Sequence, residues 1–302
     1  MMRHGEPDLS LVRLPEVTLH VAEAGPKDGP LTILLHGFPE FWFGWRHQIG
    51  ALSDAGLRVV APDQRGYNLS GKPRGIAAYR LDRVADDVVA LAEHYGAKTF
   101  QVVGHDWGGL VGWWLAARSP ERVSRLAILN APHPDVFAAF ARRHPGQALR
   151  SFYVAAFQIP RLPEAGLRAR EFLALRQALR LTSRSGTFGD LELRRYQDAW
   201  AQPGTLEGML NWYRALRFKR TSPSPPIRIP TLIVWGKRDP ALSSDLATES
   251  LKLCEQGRIT WLPEATHWLH HEEPARVNDA LAGFLVQDPA SVHAAKSGRP
   301  TR

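Results

Sequence analysis

Asp106 stands in Val102-Val103-Gly104-His105-Asp106-Trp107-Gly108-Gly109, an apolar run broken by a glycine-flanked turn and followed by a helix-compatible stretch. A strand-to-helix turn of this kind lifts its central residue to the edge of a sheet, and glycines leave no side chain to clash with it. A carboxylate there needs no base to become a nucleophile, because aspartate ordinarily ionises at about pH 3.9. It can attack an sp³ carbon and become an alkyl ester, with an epoxide oxygen or a halide as the leaving group. The plainer reading of Asp106 is a helix cap in a glycine-rich turn. Two further groups favour chemistry. His267 follows a β-rich run in Ala265-Thr266-His267-Trp268, and imidazole, with an ordinary pKa of about 6.5, can take a proton from water near neutrality. Asp239 follows the run Leu232-Ile233-Val234-Trp235-Gly236 and would fix the histidine tautomer; Asn130, after another strand, is its rival. His270 and His271 read as helix-start or surface residues. An ester so formed collapses through an oxyanion, which needs donors. The backbone N–H of Trp107 is one, and that of Phe38 in His36-Gly37-Phe38-Pro39 is the other, with Phe38-Pro39 a candidate cis bond.

A frame must bring residues 106, 239 and 267 to one edge. Short β-rich runs at 17–22, 31–36, 57–62, 99–104 and 123–130 alternate with helical patterns, which predicts an α/β fold with a mostly parallel, doubly wound sheet. Apolar residues at Leu81, Val84, Ala85, Val88, Leu91, Ala92 and Tyr95 give one helix its buried stripe. From 134 to 221 strand signals disappear and leucine, alanine and arginine recur at helical spacing, the mark of an inserted helical cap. The proline-rich 222–226 returns the chain to strands at 231–236 and 258–262 and a helix at 274–284. The predicted division is therefore a core of 1–133 and 222–287, a cap of 134–221, and a tail of 288–302 with few apolar residues to hold it.

The chain has 302 residues, a net charge of +8 and one cysteine, Cys254, read as a small buried space-filler near a helix end. The charge is local: 134–221 holds fifteen Lys and Arg against seven Asp and Glu, so the rest is balanced. Arginines at helical spacing read as solvated helix faces, and no nucleic-acid or membrane partner is expected. With no signal-like N-terminus and no long apolar run, the expected compartment is the cytoplasm. Oligomeric state is left open, a homodimer included. His36 and His105 are expected to hold their loops, and Asp63 with Arg65 to form a structural ion pair.

Over residues 14–287 the sequence resembles the soluble epoxide hydrolases of the α/β-hydrolase fold. The motifs are His36-Gly37-Phe38-Pro39-Glu40, Ala61-Pro62-Asp63-Gln64-Arg65-Gly66-Tyr67, Gly104 to Gly109 and Asn130-Ala131-Pro132-His133-Pro134. In the cap, Ser151-Phe152-Tyr153 with Phe157-Gln158-Ile159-Pro160, and Asn211-Trp212-Tyr213-Arg214, look like the segments bearing the two ring-opening tyrosines. The resemblance implies that Tyr153 and Tyr213 hold the epoxide oxygen opposite Asp106, that water and an apolar epoxide are the substrates, and that neither metal nor cofactor takes part. Phe38, Trp107, Phe152, Phe157, Trp212 and Trp268 are the expected pocket lining. A haloalkane dehalogenase would share the triad, but the position after His36-Gly37 holds Phe38, which has no side-chain N–H for a halide. A hydrolase-like binder without turnover is the other alternative.

Overall fold

The computed structural model describes residues 6–150, 152–218 and 224–286. The predicted tail, Ser151 of the first tyrosine motif, the cap end at 219–221 and the start of the proline-rich return lie outside them. Eight strands form one sheet: β1 (Asp8–Arg13), β2 (Thr18–Ala24), β3 (Leu31–Leu35), β4 (Arg58–Pro62), β5 (Phe100–His105), β6 (Val123–Leu129), β7 (Thr231–Gly236) and β8 (Gly257–Leu262). Their order is β1-β2-β4-β3-β5-β6-β7-β8. The first two pairings are antiparallel and all later ones parallel. The central strands β3, β5 and β7 are buried at every residue, which is why they read as continuous apolar runs rather than as alternation. β1 escaped the sequence reading because its leucines, Leu9 and Leu11, point outward on an edge strand.

Core helices cover both faces. Helices α1 (Arg46–Asp54), α2 (Leu81–His94) and α3 (Trp107–Arg118) precede β6. Side chains alternate along a strand. Thus Ile33, Val102 and Ile128 pack with Val84 and Leu91 of α2 and Val111 of α3, while Leu34, Val103 and Leu129 pack beneath Ile49 and Leu52 of α1. Between β6 and β7 the chain makes α4 (Pro134–Arg143), α5 (Pro145–Arg150), α6 (Phe152–Ala156), α7 (Leu162–Thr182), α8 (Asp190–Ala201) and α9 (Thr205–Ala215), with α7 breaking at Ala169–Phe172. After β7 come α10 (Asp245–Leu251), α11 (Leu269–Glu272) and α12 (Pro274–Leu285), the last joining α1 on its face.

The inserted helices are fastened to the core by buried donors. Trp200 Nε1 donates to Pro39 O at 2.6 Å, and Trp212 Nε1 to Arg65 O at 3.0 Å. Gly208 lies so close to Gly66 that a Cβ there would sit 2.6 Å from its backbone. Arg65 and Asp63 are not paired with each other, contrary to expectation. Arg65 grips Asp87 through two bonds, and Asp63 accepts from Trp42 N and Asn68 and faces His20 at 2.7 Å. Residues two apart along an irregular loop had no need to face one another. Cys254 is half-buried after α10, and burial raises its thiol to about 11.

Candidate active site

Asp106 ends β5 and caps α3 with φ 50° and ψ −117°, a conformation few side chains adopt. Three contacts enforce it. A Cβ on Gly108 would lie 2.0 Å from Leu35 O, one on Gly104 2.4 Å from Gly108 O, and one on Gly37 2.4 Å from the Asp106 Cβ. The turn can form only with glycines there, and this is the physical content of the motif. Phe38-Pro39 is cis, and Phe38 N donates to Asp106 Oδ1 at 2.9 Å. That leaves Oδ2 facing His267 Nε2 at 3.8 Å, too long for a hydrogen bond, so this oxygen is not tied to the imidazole.

His267 Nδ1 meets Asp239 Oδ2 at 2.7 Å. Asp239 is itself over-determined: Asn130 Nδ2 donates to Oδ2 at 2.6 Å, and Ala241 N and Leu242 N to Oδ1 at 2.7 and 2.9 Å. Asn130 thus supports the acid instead of replacing it, its Oδ1 accepting from Gly236 N at 2.7 Å. Burial disfavours a charged His267, yet Asp239 first and then Asp106 and Glu40 outweigh it and raise the imidazole to about 9. Burial also raises Asp239, but His267 and these donors hold it below its usual range.

A cavity of about 390 Å³ opens over these groups, lined by Asp106 and His267 below and by Tyr153, Phe157, Leu175 and Tyr213 above. The two tyrosine rings lie 5.9 Å apart. Burial, with the Asp106 charge, pushes both phenols above their usual range, so they stand as donors. Arg214 joins their segments, donating from α9 to Phe157 O and Ile159 O at 3.0 and 2.8 Å and pairing Glu164 at 2.6 Å. Gln158 returns the tie, donating to Tyr213 O at 3.0 Å.

Of the six expected lining residues, Phe38, Phe157 and Trp268 border this cavity. Phe152 does not: it is 68% exposed on the outer side of α6. Trp107 and Trp212 border a different cavity, of about 260 Å³, with Tyr79, Trp114 and Phe218. Trp107 packs edge-on against Tyr213 with ring centroids 4.9 Å apart. Sequence reasoning missed Arg150, Leu167, Leu175 and Leu242, which line the catalytic cavity from α5, from the two halves of α7 and from the loop after β7.

It also missed the buried surroundings of Glu40. Tyr196 Oη and His271 Nε2 each stand 2.7 Å from Oε1, and His270 Nε2 stands 3.1 Å from Oε2. His270 and His271 are helix-start residues as expected, but buried rather than superficial. Burial lowers His270 to about 3 and His271 to about 4, so both are neutral and donate to the carboxylate. His105, also lowered by burial, to about 4, holds its loop through Nε2 to His267 O at 2.9 Å. His36 does likewise through Gln64 N. Among the described residues, Glu40, His105 and His270 are the group whose ligand atoms lie close enough to hold a metal ion, within 4.8 Å of one another. Within it His270 Nε2 donates to Glu40 Oε2, and His105 Nδ1 faces the same oxygen at 3.3 Å.

A family model of the alpha/beta hydrolase fold matches residues 30–274. The Bacillus subtilis AB hydrolase superfamily protein YfhM is 47% identical over 89% of this chain and 94% of its own length. Human epoxide hydrolase 4 is 36% identical over 89% of this chain and 76% of its own. A crystal structure of Bacillus megaterium epoxide hydrolase with an inhibitor superposes with a TM-score of 0.84 at 32% identity, covering 92% of this chain and all of that one.

Proposed function

The chain belongs to the epoxide hydrolases of the α/β-hydrolase fold, and from that premise we propose that it opens an apolar epoxide to a vicinal diol in two covalent steps. Asp106 Oδ2 attacks a ring carbon, and the carbon–oxygen bond breaks as Tyr153 and Tyr213 donate to the departing oxygen, one of them giving its proton. The product is an alkyl ester on Asp106. His267 then takes a proton from water, the hydroxide adds to the ester carbonyl, and the oxyanion rests on the N–H groups of Phe38 and Trp107. Collapse breaks the bond from the ester carbon to Oδ2, and the departing alkoxide takes the remaining proton of the added hydroxyl. The proton held by His267 passes back to the tyrosinate, so the diol leaves with the carboxylate, the imidazole and both phenols restored. The observation that carries this reading is the division of the Asp106 carboxylate, with Oδ1 held by Phe38 N at 2.9 Å and Oδ2 directed toward His267.

Ester formation removes the Asp106 charge, one of the influences raising His267. The imidazole therefore becomes easier to deprotonate when a base is needed. The apolar lining of the cavity suits a hydrophobic epoxide. The division into core, 134–221 cap and tail belongs to the same proposal, with the cap carrying the two phenols. A cytoplasmic location is also part of it; no described helix is long and apolar enough to cross a membrane. One turnover in ¹⁸O water tests the chemistry. The peptide containing Asp106 should gain the heavy oxygen while the first diol carries none; label in that diol would mean direct attack by water and end the proposal.

A further inference from the structure

The segment formed by residues 149–150 and 152–162 has two apolar sides, and the catalytic cavity uses only one. Along α6 and the turn after it, Tyr153, Val154 and Phe157 are half-buried, whereas Phe152, Ala155, Ala156 and Ile159 are exposed, spaced as one helix face. Bonds from Phe157 N to Tyr153 O and from Ile159 N to Ala156 O carry the winding past the end of α6. Leu149 and Leu162 bracket the strip in sequence. The four large side chains, Leu149, Phe152, Ile159 and Leu162, are 73%, 68%, 48% and 67% exposed. Single exposed leucines need no explanation, but four large exposed apolar side chains in one short segment mark a surface that something covers.

Charge identifies what covers it. Arg142, Arg143, Arg161 and Arg168 flank the strip in sequence and are exposed, as is Arg150, which also borders the catalytic cavity, and none is ion-paired among the described residues. The one acid between Val136 and Ala169 is Glu164, already engaged by Arg214 at 2.6 Å. We infer that this face docks on an anionic lipid surface, with Leu149, Phe152, Ile159 and Leu162 in the headgroup–acyl boundary and the arginines on the phosphates. Such a face has the composition of an interfacial helix, apolar on one side and arginine-rich at its flanks. Each arginine near an anionic leaflet adds to the attraction, and salt screens it. A second copy of the chain fits less well, because a two-fold contact would bring these guanidiniums against one another with no carboxylate between them. A nucleic acid would satisfy the arginines and leave the apolar strip uncovered. The expectation of a chain without a membrane partner is thereby revised to peripheral attachment. Because Tyr153 and Phe157 line the catalytic cavity from the other side of the same segment, docking would put that cavity about one helix diameter, some 10 Å, from lipid.

The test is sedimentation of the full chain with phosphatidylcholine vesicles, with and without phosphatidylglycerol, beside size-exclusion light scattering. The expected result is binding to the anionic vesicles, weakened by salt and reduced about tenfold or more by phosphatidylglycerol omission or by Leu149→Glu with Ile159→Glu. The melting temperature and turnover of a small soluble epoxide should be unchanged in that variant. No binding to anionic vesicles overturns the inference. So does binding indifferent to the double substitution, which would be adsorption by charge alone. A dimer abolished by the same substitutions, without vesicle binding, would assign the face to a second subunit instead.

Discussion

The floor and the roof of the catalytic cavity are built on opposite principles. On the floor, Asp106, Asp239 and His267 each follow a strand of the sheet; Asp106 and Asp239 are fixed by backbone donors, Asp106 also by tight glycine contacts, and His267 is held by Asp239. On the roof, Tyr153 and Phe157 sit on a short helix and turn whose position depends on a handful of side-chain ties through Arg214 and Gln158. A floor of that kind suits a nucleophile that must meet a carbon within tenths of an ångström. A roof tied by side chains can differ in shape around its two phenols, so the apolar lining beside them can select the substrate while the phenols serve the reaction.

The sharpest way to break this contrast is to disable each side separately. Tyr153→Phe with Tyr213→Phe should slow ester formation by about 10³-fold or more, since removing one well-placed donor to a developing oxyanion costs about 10²–10³. His267→Gln should instead leave ester formation in place and slow hydrolysis by about 10²–10⁴, so the ester accumulates and is seen by mass on Asp106. Equal accumulation in both variants would dissolve the assignment of the two steps to roof and floor.

Smaller effects sharpen the same comparison. Gly108→Ala drives a Cβ to 2.0 Å from Leu35 O and should destabilise by about 3 kcal/mol. Gly166→Ala, in α7 with nothing within 4 Å, should stabilise by up to about 1 kcal/mol. Paired denaturant titrations check both, and equal penalties would mean that the roof is as closely packed as the floor. Protonation of His267 is the third comparison. Its folded pKa of about 9 lies above the ordinary 6.5, so its contribution to stability is complete below about 6.5 and lost as pH rises through about 9. His267→Gln should flatten that loss. In single-turnover kinetics, hydrolysis of the ester should titrate below 9, because Asp106 is then uncharged.

Legibility followed the same line. The β5–turn–α3 unit was readable because its glycines are demanded by contacts a few residues away, and the strands on either side are apolar throughout. Asp239 and His267 were readable as the residues leaving β7 and β8. Glu40 was not, since its partners come from α8 and α11, and no local pattern says that Tyr196, His270 and His271 converge on one carboxylate. Phe152 was misplaced for a simple reason. It falls in step with the exposed Ala155, Ala156 and Ile159, whereas Tyr153, Val154 and Phe157 make up the face turned inward. Trp107 and Trp212 were drawn by aromatic character toward the catalytic cavity, but Trp107 packs edge-on against Tyr213 and Trp212 against Trp107 and Tyr67.

The bond from Phe38 N to Asp106 Oδ1 has an accounting consequence at the level of single atoms. In the two-step scheme the oxygen that leaves with each diol is always the unpinned one, and solvent supplies its successor. The protein would thus surrender and regain an atom of its own side chain every cycle, while the neighbouring atom persists for the life of the molecule. Any scrambling between the two positions would clock how often that carboxylate turns over in its socket.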